Sequence, residues 1–151
     1  MICKLLSLTI IISALLFNAH TITADGGVKK ISIRRSSTPV AVFAVETVSG
    51  QKEKEKGLAE RAPIPSDCGM LFILDAARPQ FFWMKGMKFS LDILFFNKDK
   101  ILTGILPGLR PCTECTIYKA PEGTAYALEI KAGMADKLGI KTGDRLEYEN
   151  R

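Results

Sequence analysis

The chain has 151 residues, of which 47% are hydrophobic and 25% charged, and its formal net charge is +5. These fractions are typical of one globular domain and exclude a disordered or fibrous chain. The only histidine is His20. Because His20 lies in a segment that we expect to be removed, the sequence excludes Ser-His-Asp and Cys-His catalysis and His-ligated zinc.

The N-terminus has the pattern of a secretory signal peptide. Residues 5–17 form an uncharged apolar run after Lys4, and this run is shorter than the roughly 20 residues that span a bilayer. Ala24 offers a small residue for cleavage before Asp25. We therefore predict a signal peptide over residues 1–24 and export to the periplasm or the extracellular space. The alternative is an uncleaved anchor.

The mature chain is expected to form a single domain. Residues 25–38 are polar and predict an extended N-terminal arm, in which Ile31 and Ile33 alternate as in an edge strand. The β-rich domain is predicted over residues 39–151. No internal repeat and no long linker divides this range.

Short apolar segments separated by turn residues predict a mainly β fold. Strands are predicted at 39–48, 69–74, 80–85, 91–97, 101–106, 125–130 and 145–148. Short helices are predicted at 51–58, with Ser49 as N-cap, and at 134–138. The charged run of the first helix is expected to be a solvated face rather than a binding surface. The pattern favours a compact antiparallel β-sandwich or small barrel with two short helices.

An ordered series of motifs carries a family resemblance. The motifs are GMLFIL, FFWMK, LDILFF, PCTEC followed by a tyrosine, ALEIKAG and LGIKTGD. From Val40 to Tyr148 the chain resembles the domain of unknown function 192 family, which comprises small exported or membrane-tethered microbial proteins. The resemblance implies a compact, mostly β fold and no particular activity, because the family has no established one.

The chain departs from the family pattern at a few positions. Gly86 and Met87 stand where the family's FWMKNT segment has Asn and Thr. Ser90 replaces the proline of Pro-Leu-Asp, and Ala59 replaces the methionine of Gly-Leu-Met at the end of the first helix.

Asp92 is the most informative polar residue, because the strand around it is apolar on both faces. A buried carboxylate must be paired or hydrogen-bonded, since its desolvation alone is costly. If residues 80–85 and 91–97 form a hairpin, Asp92 lies close to Lys85 and Lys88, and one of these is its expected partner. The alternatives are an ion pair with only a structural role, or backbone hydrogen bonds to the turn.

The predicted ligand-binding site consists of Trp83, Lys85, Asp92 and Glu129. Trp83 offers a platform for a sugar or another planar ligand beside a polar anchor. Glu129 lies in a similar apolar strand, and with Asp92 it suggests a two-carboxylate pair for glycoside chemistry. A Glu129 side chain that faces solvent is the simpler alternative.

Cys112 and Cys115 form a C-x-x-C motif with three interpretations. A metal site is short of ligands even if Cys68 is added. A redox pair of the thioredoxin type needs a helix directly after the motif, and Pro121 leaves no room for one. We therefore predict a disulfide that closes a surface loop in an oxidising compartment, and we expect Cys68 to be buried as a small hydrophobic residue.

The sequence thus predicts an exported binding module of the cell envelope rather than an enzyme. It predicts no cofactor, no metal, no nucleic-acid partner, and membrane contact only through the export signal. The expected partner is an unidentified small ligand or an envelope protein, and the chain is expected to be a monomer. The alternatives are a disulfide redox enzyme, a carboxylate-based hydrolase and a structural accessory of the envelope.

The disulfide prediction can be tested with thiol chemistry. Cys112 and Cys115 should form their bond in a redox buffer that resembles the periplasm, and finding both reduced there would contradict the prediction. The redox enzyme would instead show disulfide reductase activity that disappears in Cys112→Ser.

Overall fold

The structure, a computed structural model, describes residues 27–149. The predicted signal peptide, residues 1–24, lies outside the described residues. The strands in chain order are β1 (Lys29–Arg35), β2 (Thr38–Val48), β3 (Cys68–Ile73), β4 (Phe81–Phe82), β5 (Leu91–Phe96), β6 (Leu102–Leu109), β7 (Tyr118–Lys119), β8 (Tyr126–Lys131) and β9 (Arg145–Tyr148). The helices are α1 (Gln51–Lys56) and α2 (Met134–Lys137). This content confirms the predicted mainly β class. None of the helices between residues 27 and 149 has the length and apolarity needed to cross a membrane.

Seven strands form one sheet in the order β6-β5-β8-β3-β2-β1-β9, while β4 and β7 form a separate two-stranded ribbon. All neighbours in the large sheet are antiparallel except β2 and β3, which are parallel. The sheet is not closed into a barrel, although its two edge strands approach each other at one end. There Ile101 forms an isolated bridge with Arg145, and the Leu102 N–H donates to the Asp144 carbonyl at 2.8 Å.

The central strands carry two separate hydrophobic cores, because successive side chains of a strand point to opposite faces of the sheet. The inner core includes Ile33, Phe43, Leu71, Leu94, Leu128 and Leu146. The outer core includes Leu58, Phe72, Phe82, Ile93, Phe95 and Ala127. Every residue of β5 is therefore buried, as the apolar run from 91 to 97 predicts.

The position of β1 differs from the prediction of an edge strand. β1 lies between β2 and β9 and pairs with both. Ile31 and Ile33 are fully buried in the inner core as a result. Much of the predicted N-terminal arm is thus a central part of the sheet, because the C-terminal strand supplies a partner that local sequence does not reveal.

The predicted hairpin between residues 80–85 and 91–97 is wrong. Only Phe81–Phe82 is a strand in the first range, and it pairs with Tyr118–Lys119. Both edges of β5 are instead occupied by the longer strands β6 and β8. These two ladders satisfy the backbone groups of β5 and leave no edge for a hairpin partner.

α1 lies in the connection between the parallel strands β2 and β3 and has no buried residue. Its N-cap is Gly50, without a side-chain hydrogen bond, so the prediction of a Ser49 cap is wrong. The helix ends two residues earlier than predicted, at Lys56. Gly57 follows with φ 49° and ψ −131°, a conformation that favours glycine and turns the chain so that Leu58 enters the outer core.

Asp92 is fully buried and is held by three backbone donors. Its Oδ1 accepts hydrogen bonds from the N–H groups of Gly108 at 2.8 Å and Gly133 at 3.0 Å. Its Oδ2 accepts one from the N–H of Ala135 at 2.9 Å. The predicted partnership with Lys85 or Lys88 is therefore wrong. Asp92 serves instead as the cap of α2, whose N-cap residue Gly133 has no side chain to do so.

Replacement of Asp92 by asparagine should destabilise the fold. The Asp92→Asn amide group would turn a donor toward one of the three backbone N–H groups, so we expect a loss of about 2–4 kcal/mol in the free energy of unfolding. Asp136→Asn is a matched control, because Asp136 is exposed in the first turn of the same helix. It should change stability by less than about 0.5 kcal/mol in urea denaturation. Equal stability of the two variants would contradict this assignment.

Candidate functional site

The segment from 81 to 85 alternates between the outer core and an adjacent cavity. Phe82 and Met84 are buried in the outer core, whereas Trp83 is 43% exposed and Lys85 is exposed. Lys85 also forms an isolated parallel bridge with Cys112. This extended alternation places Trp83 and Lys85 on one side of the chain, and both line the cavity.

The cavity has a volume of about 530 Å³ and lies between α1 with the residues after it and the segment from 79 to 87. Its size is ordinary for a site that holds a small molecule. Aromatic rings form much of its wall: Phe72, Phe81, Phe82 and Trp83. The Phe72 and Phe82 rings meet edge to face, with centroids 6.1 Å apart. The wall therefore favours an apolar or ring-containing molecule.

Glu129 lies among the wall residues at the centre of the sheet. It is paired in register with Met70 of β3 and with Ile93 of β5, and only 8% of its surface is exposed. Its Oε2 atom is buried and has no hydrogen-bond partner. Gly57 passes above it, because a Cβ atom at position 57 would lie 3.8 Å from Oε2 and 3.4 Å from the Phe72 ring. The turn after α1 thus passes close to the carboxyl group.

Burial raises the pKa of Glu129 from 4.5 to about 8, because the interior disfavours the charged carboxylate. The carboxyl group is therefore predominantly protonated at neutral pH. A buried polar atom without a partner costs about 1–3 kcal/mol of stability. The hydroxyls of Ser32 and Thr47 are likewise buried without a partner, but neither lines the cavity.

Three lysines give the cavity a positive rim. Lys54 and Lys56 come from α1, and Lys85 comes from the opposite segment. Glu55, which accepts a hydrogen bond from Gln51, is the acidic residue of the same rim. The exposed charges of α1 are thus a solvated face, as predicted, but they are also part of the cavity wall. The sequence carried no signal for this, since helix charges are usually only solvated.

The structure brings together three of the four predicted site residues. Trp83, Lys85 and Glu129 line the cavity, whereas Asp92 does not. Ile93 is the register partner of Glu129, so the preceding Asp92 points to the opposite face of the sheet. Asp92 is also held by three backbone donors, so this arrangement does not bring the two carboxyl groups together as an acid–base pair.

Cys112 and Cys115 form the predicted disulfide. The loop that holds them, between β6 and β7, contains no helix, so the helix N-terminus that activates redox cysteines is absent from this loop. The bridge between Cys112 and Lys85 places the disulfide beside the cavity wall. Within residues 27–149, no group of three or more Cys, His, Asp and Glu side chains is arranged to hold a metal ion.

Comparisons with known proteins agree with this fold. A crystal structure of a protein of unknown function from Novosphingobium aromaticivorans DSM 12444 is 31% identical, with a TM-score of 0.72, over 78% of this chain and 83% of that one. A second, from Sinorhizobium meliloti 1021, is provisionally named a transcription regulator. It is 32% identical, with a TM-score of 0.75, over 82% of this chain and 95% of that one. No curated protein matches the chain. The family model of DUF192, described as "Uncharacterized ACR", matches residues 31–148, and the chain therefore belongs to the DUF192 family.

Proposed function

We propose that this protein is an exported binding module of the cell envelope that holds a small ligand in the cavity between α1 and the segment from 79 to 87. One observation carries the proposal. The cavity contains a buried carboxyl group, Glu129, whose Oε2 has no partner in the protein. Folding leaves this group unsatisfied at a cost in stability, and a ligand that hydrogen-bonds to it would offset that cost.

The mouth of the cavity supports the same proposal. Trp83 and Phe81 are 43% and 52% exposed, and they are neighbours in the chain segment that borders the cavity. Both line the same cavity as Glu129. An aromatic mouth above a single polar anchor is the usual composition of a small-molecule site.

Binding is better supported than catalysis. Paired-carboxylate hydrolysis loses its second carboxyl group, because Asp92 lies on the other face of the sheet. Disulfide redox chemistry lacks structural support, because the Cys112–Cys115 loop has no helix to stabilise a thiolate. Trp83, Lys85 and Glu129 remain as a coherent group that suits recognition.

Export rests on the N-terminal sequence and on the disulfide. The apolar run at residues 5–17 has the length of a signal-peptide core. A disulfide between Cys112 and Cys115 is compatible with an oxidising compartment outside the cytosol. The proposed location is therefore the periplasm or the cell exterior.

The name of the Sinorhizobium meliloti relative raises DNA binding as another function. Regulators of the helix-turn-helix class insert a recognition helix into the major groove. The two helices within residues 27–149 have only six and four residues. These residues therefore provide no recognition helix of that class, and ligand binding remains the function that we propose.

The proposed function is testable by tryptophan fluorescence, because the chain has a single tryptophan. A panel of envelope sugars, peptides and small aromatic compounds should contain members that change Trp83 emission and also raise the melting temperature. In Trp83→Phe the emission signal disappears, whereas a true ligand should still raise the melting temperature. A panel without any effect on emission or melting would overturn the proposal and favour a structural accessory.

The unpartnered carboxyl group predicts a distinctive dependence of stability on pH. The pKa of Glu129 is about 8 in the folded protein and about 4.5 in the unfolded chain. Between these values the folded state retains a proton that the unfolded state has lost, so the contribution to stability is complete below pH 4.5 and is lost as the pH rises through 8. The loss should reach up to about 5 kcal/mol, at about 1.36 kcal/mol for each unit of pKa difference.

The matching measurement is urea denaturation at several pH values between 5 and 9. Glu129→Gln cannot ionise, so its stability relative to the wild type should rise with pH. Glu147→Gln is the control, because Glu147 is also a strand residue but has 47% of its side chain exposed. If the wild type and Glu129→Gln show parallel pH profiles, burial does not perturb Glu129.

A further inference from the structure

We propose that the cavity binds an elongated molecule with a ring-containing apolar body, an uncharged oxygen acceptor at its inner end and an anionic group at its outer end. This inference rests on the proposed binding function and defines the chemical class of the ligand. It follows from three parts of the cavity, which are the carboxyl group of Glu129, the aromatic wall and the lysine rim.

The inner end of the ligand is set by Glu129. Its Oε2 is buried near the turn at Gly57, without a hydrogen-bond partner from the protein. A carboxyl group in such surroundings is neutral and donates its O–H. The matching ligand group is therefore an uncharged oxygen that accepts but cannot donate, such as a carbonyl or ether oxygen. A carboxylate at this depth would have to be desolvated without a cation to pair with it.

The body of the ligand is set by the aromatic wall. Phe72 and Phe82 form an edge-to-face pair beside Glu129, and Trp83 extends the apolar surface to the mouth. Phe72 and Phe82 belong to the outer core, so these two rings are held by packing. Planar rings gain specific stacking or edge contacts on such a surface, in addition to the burial of apolar area.

The outer end of the ligand is set by the charge of the rim. Lys54, Lys56 and Lys85 face the mouth, against the single carboxylate of Glu55. Their field attracts an anion and repels a cationic ligand, because the cavity walls have a low dielectric constant. Two of the lysines lie on one side of the mouth and the third on the other. An anionic group between them would contact both walls.

Protonation of Glu129 should make binding depend on pH. The other titratable groups of the cavity wall are Lys54, Glu55 and Lys56 on α1, and Lys85. The strands on either side of Glu129 contribute only apolar residues, namely Met70 and Phe72 from β3 and Ile93 from β5. An ionised Glu129 would lose its donor and repel the oxygen of the ligand. Affinity should therefore fall as the pH rises through about 8.

A matched set of four compounds tests the class by calorimetry on the purified protein. 3-(4-Methoxyphenyl)propanoate has all three features, 3-phenylpropanoate lacks the inner oxygen, 4-ethylanisole lacks the anion, and 2-(4-methoxyphenyl)ethylamine replaces the anion by a cation. We expect the first to bind at least tenfold more tightly than the amine and severalfold more tightly than the other two. Added salt should weaken binding of the two acids and leave 4-ethylanisole unaffected.

Variants assign each preference to its residue. Glu129→Gln retains a donor, so it should keep the preference for the methoxy oxygen and lose the pH dependence between pH 6 and 9. Glu129→Leu should abolish that preference. Lys85→Gln should lower affinity for the acids about tenfold without affecting 4-ethylanisole. Lys98→Gln is the charge-matched control, because Lys98 lies in an exposed turn outside the cavity and should leave all affinities unchanged.

The outcomes separate the ligand class from the proposed function. Tighter binding of 2-(4-methoxyphenyl)ethylamine than of the acids, with a response of Trp83 emission, would overturn the ligand class and leave the binding function intact. Equal affinity of 3-(4-methoxyphenyl)propanoate and 3-phenylpropanoate would overturn the role of Glu129. Absence of any response to these compounds and to the wider envelope panel would overturn the binding function, and the ligand class with it.

Discussion

The burial of β5 and β8 on both faces is the constraint on which the rest of the structure depends. In an ordinary half-exposed strand, alternate positions tolerate charge, whereas all six residues of β5 and the four residues 127–130 of β8 are buried. Each strand nevertheless contains one acidic residue. Asp92 points into the inner core and is satisfied by three backbone N–H groups, so it ties β6 and the start of α2 to β5. Glu129 points to the other face, where no protein donor reaches its Oε2, and the same burial produces a neutral carboxyl group beside a cavity.

The cavity arises from the one parallel pair of the sheet. Antiparallel strands can be joined by a tight turn, but β2 and β3 require the chain to cross back over the sheet. That connection carries α1 and Gly57 across the outer face, directly above Glu129. On the opposite side, the Glu60 N–H donates to the Gly86 carbonyl at 2.8 Å and joins the two walls. The crossing therefore supplies both the roof of the cavity and its positive rim, without any long element dedicated to binding.

The local pattern of apolar residues in the sequence was sufficient to predict where most strands lie, but not which strands pair with each other. The apolar runs predicted β2, β3, β5, β8 and β9 with small errors in their ends, and they also placed Asp92 and Glu129 in buried strands. The ribbon of Phe81–Phe82 with Tyr118–Lys119 could not be predicted in this way, because two-residue strands have no period and their pairing joins distant parts of the chain. A hairpin of residues 80–85 with 91–97 would have placed Asp92 at the candidate site, whereas Asp92 lies on the opposite face of the sheet from Glu129. The position of α1 in the cavity wall could not be predicted either, because an exposed charged helix has the same sequence pattern whether or not it borders a cavity.

The departures from the family pattern at positions 59, 86 and 87 lie at a turn beside the cavity and in the cavity wall. Gly86 has φ 74°, a left-handed conformation that asparagine also tolerates, so the exchange of the family's Asn for Gly preserves the turn. The other two exchanges change the cavity wall itself. Ala59 removes the bulk of a methionine from one side, and Met87 adds it on the other, where the family pattern has threonine. Trp83 and Glu129, in contrast, lie within the motifs that carry the resemblance. At the proposed binding site, Trp83 and Glu129 thus lie within the motifs of the resemblance, whereas the departures at positions 59 and 87 change the volume of the cavity wall.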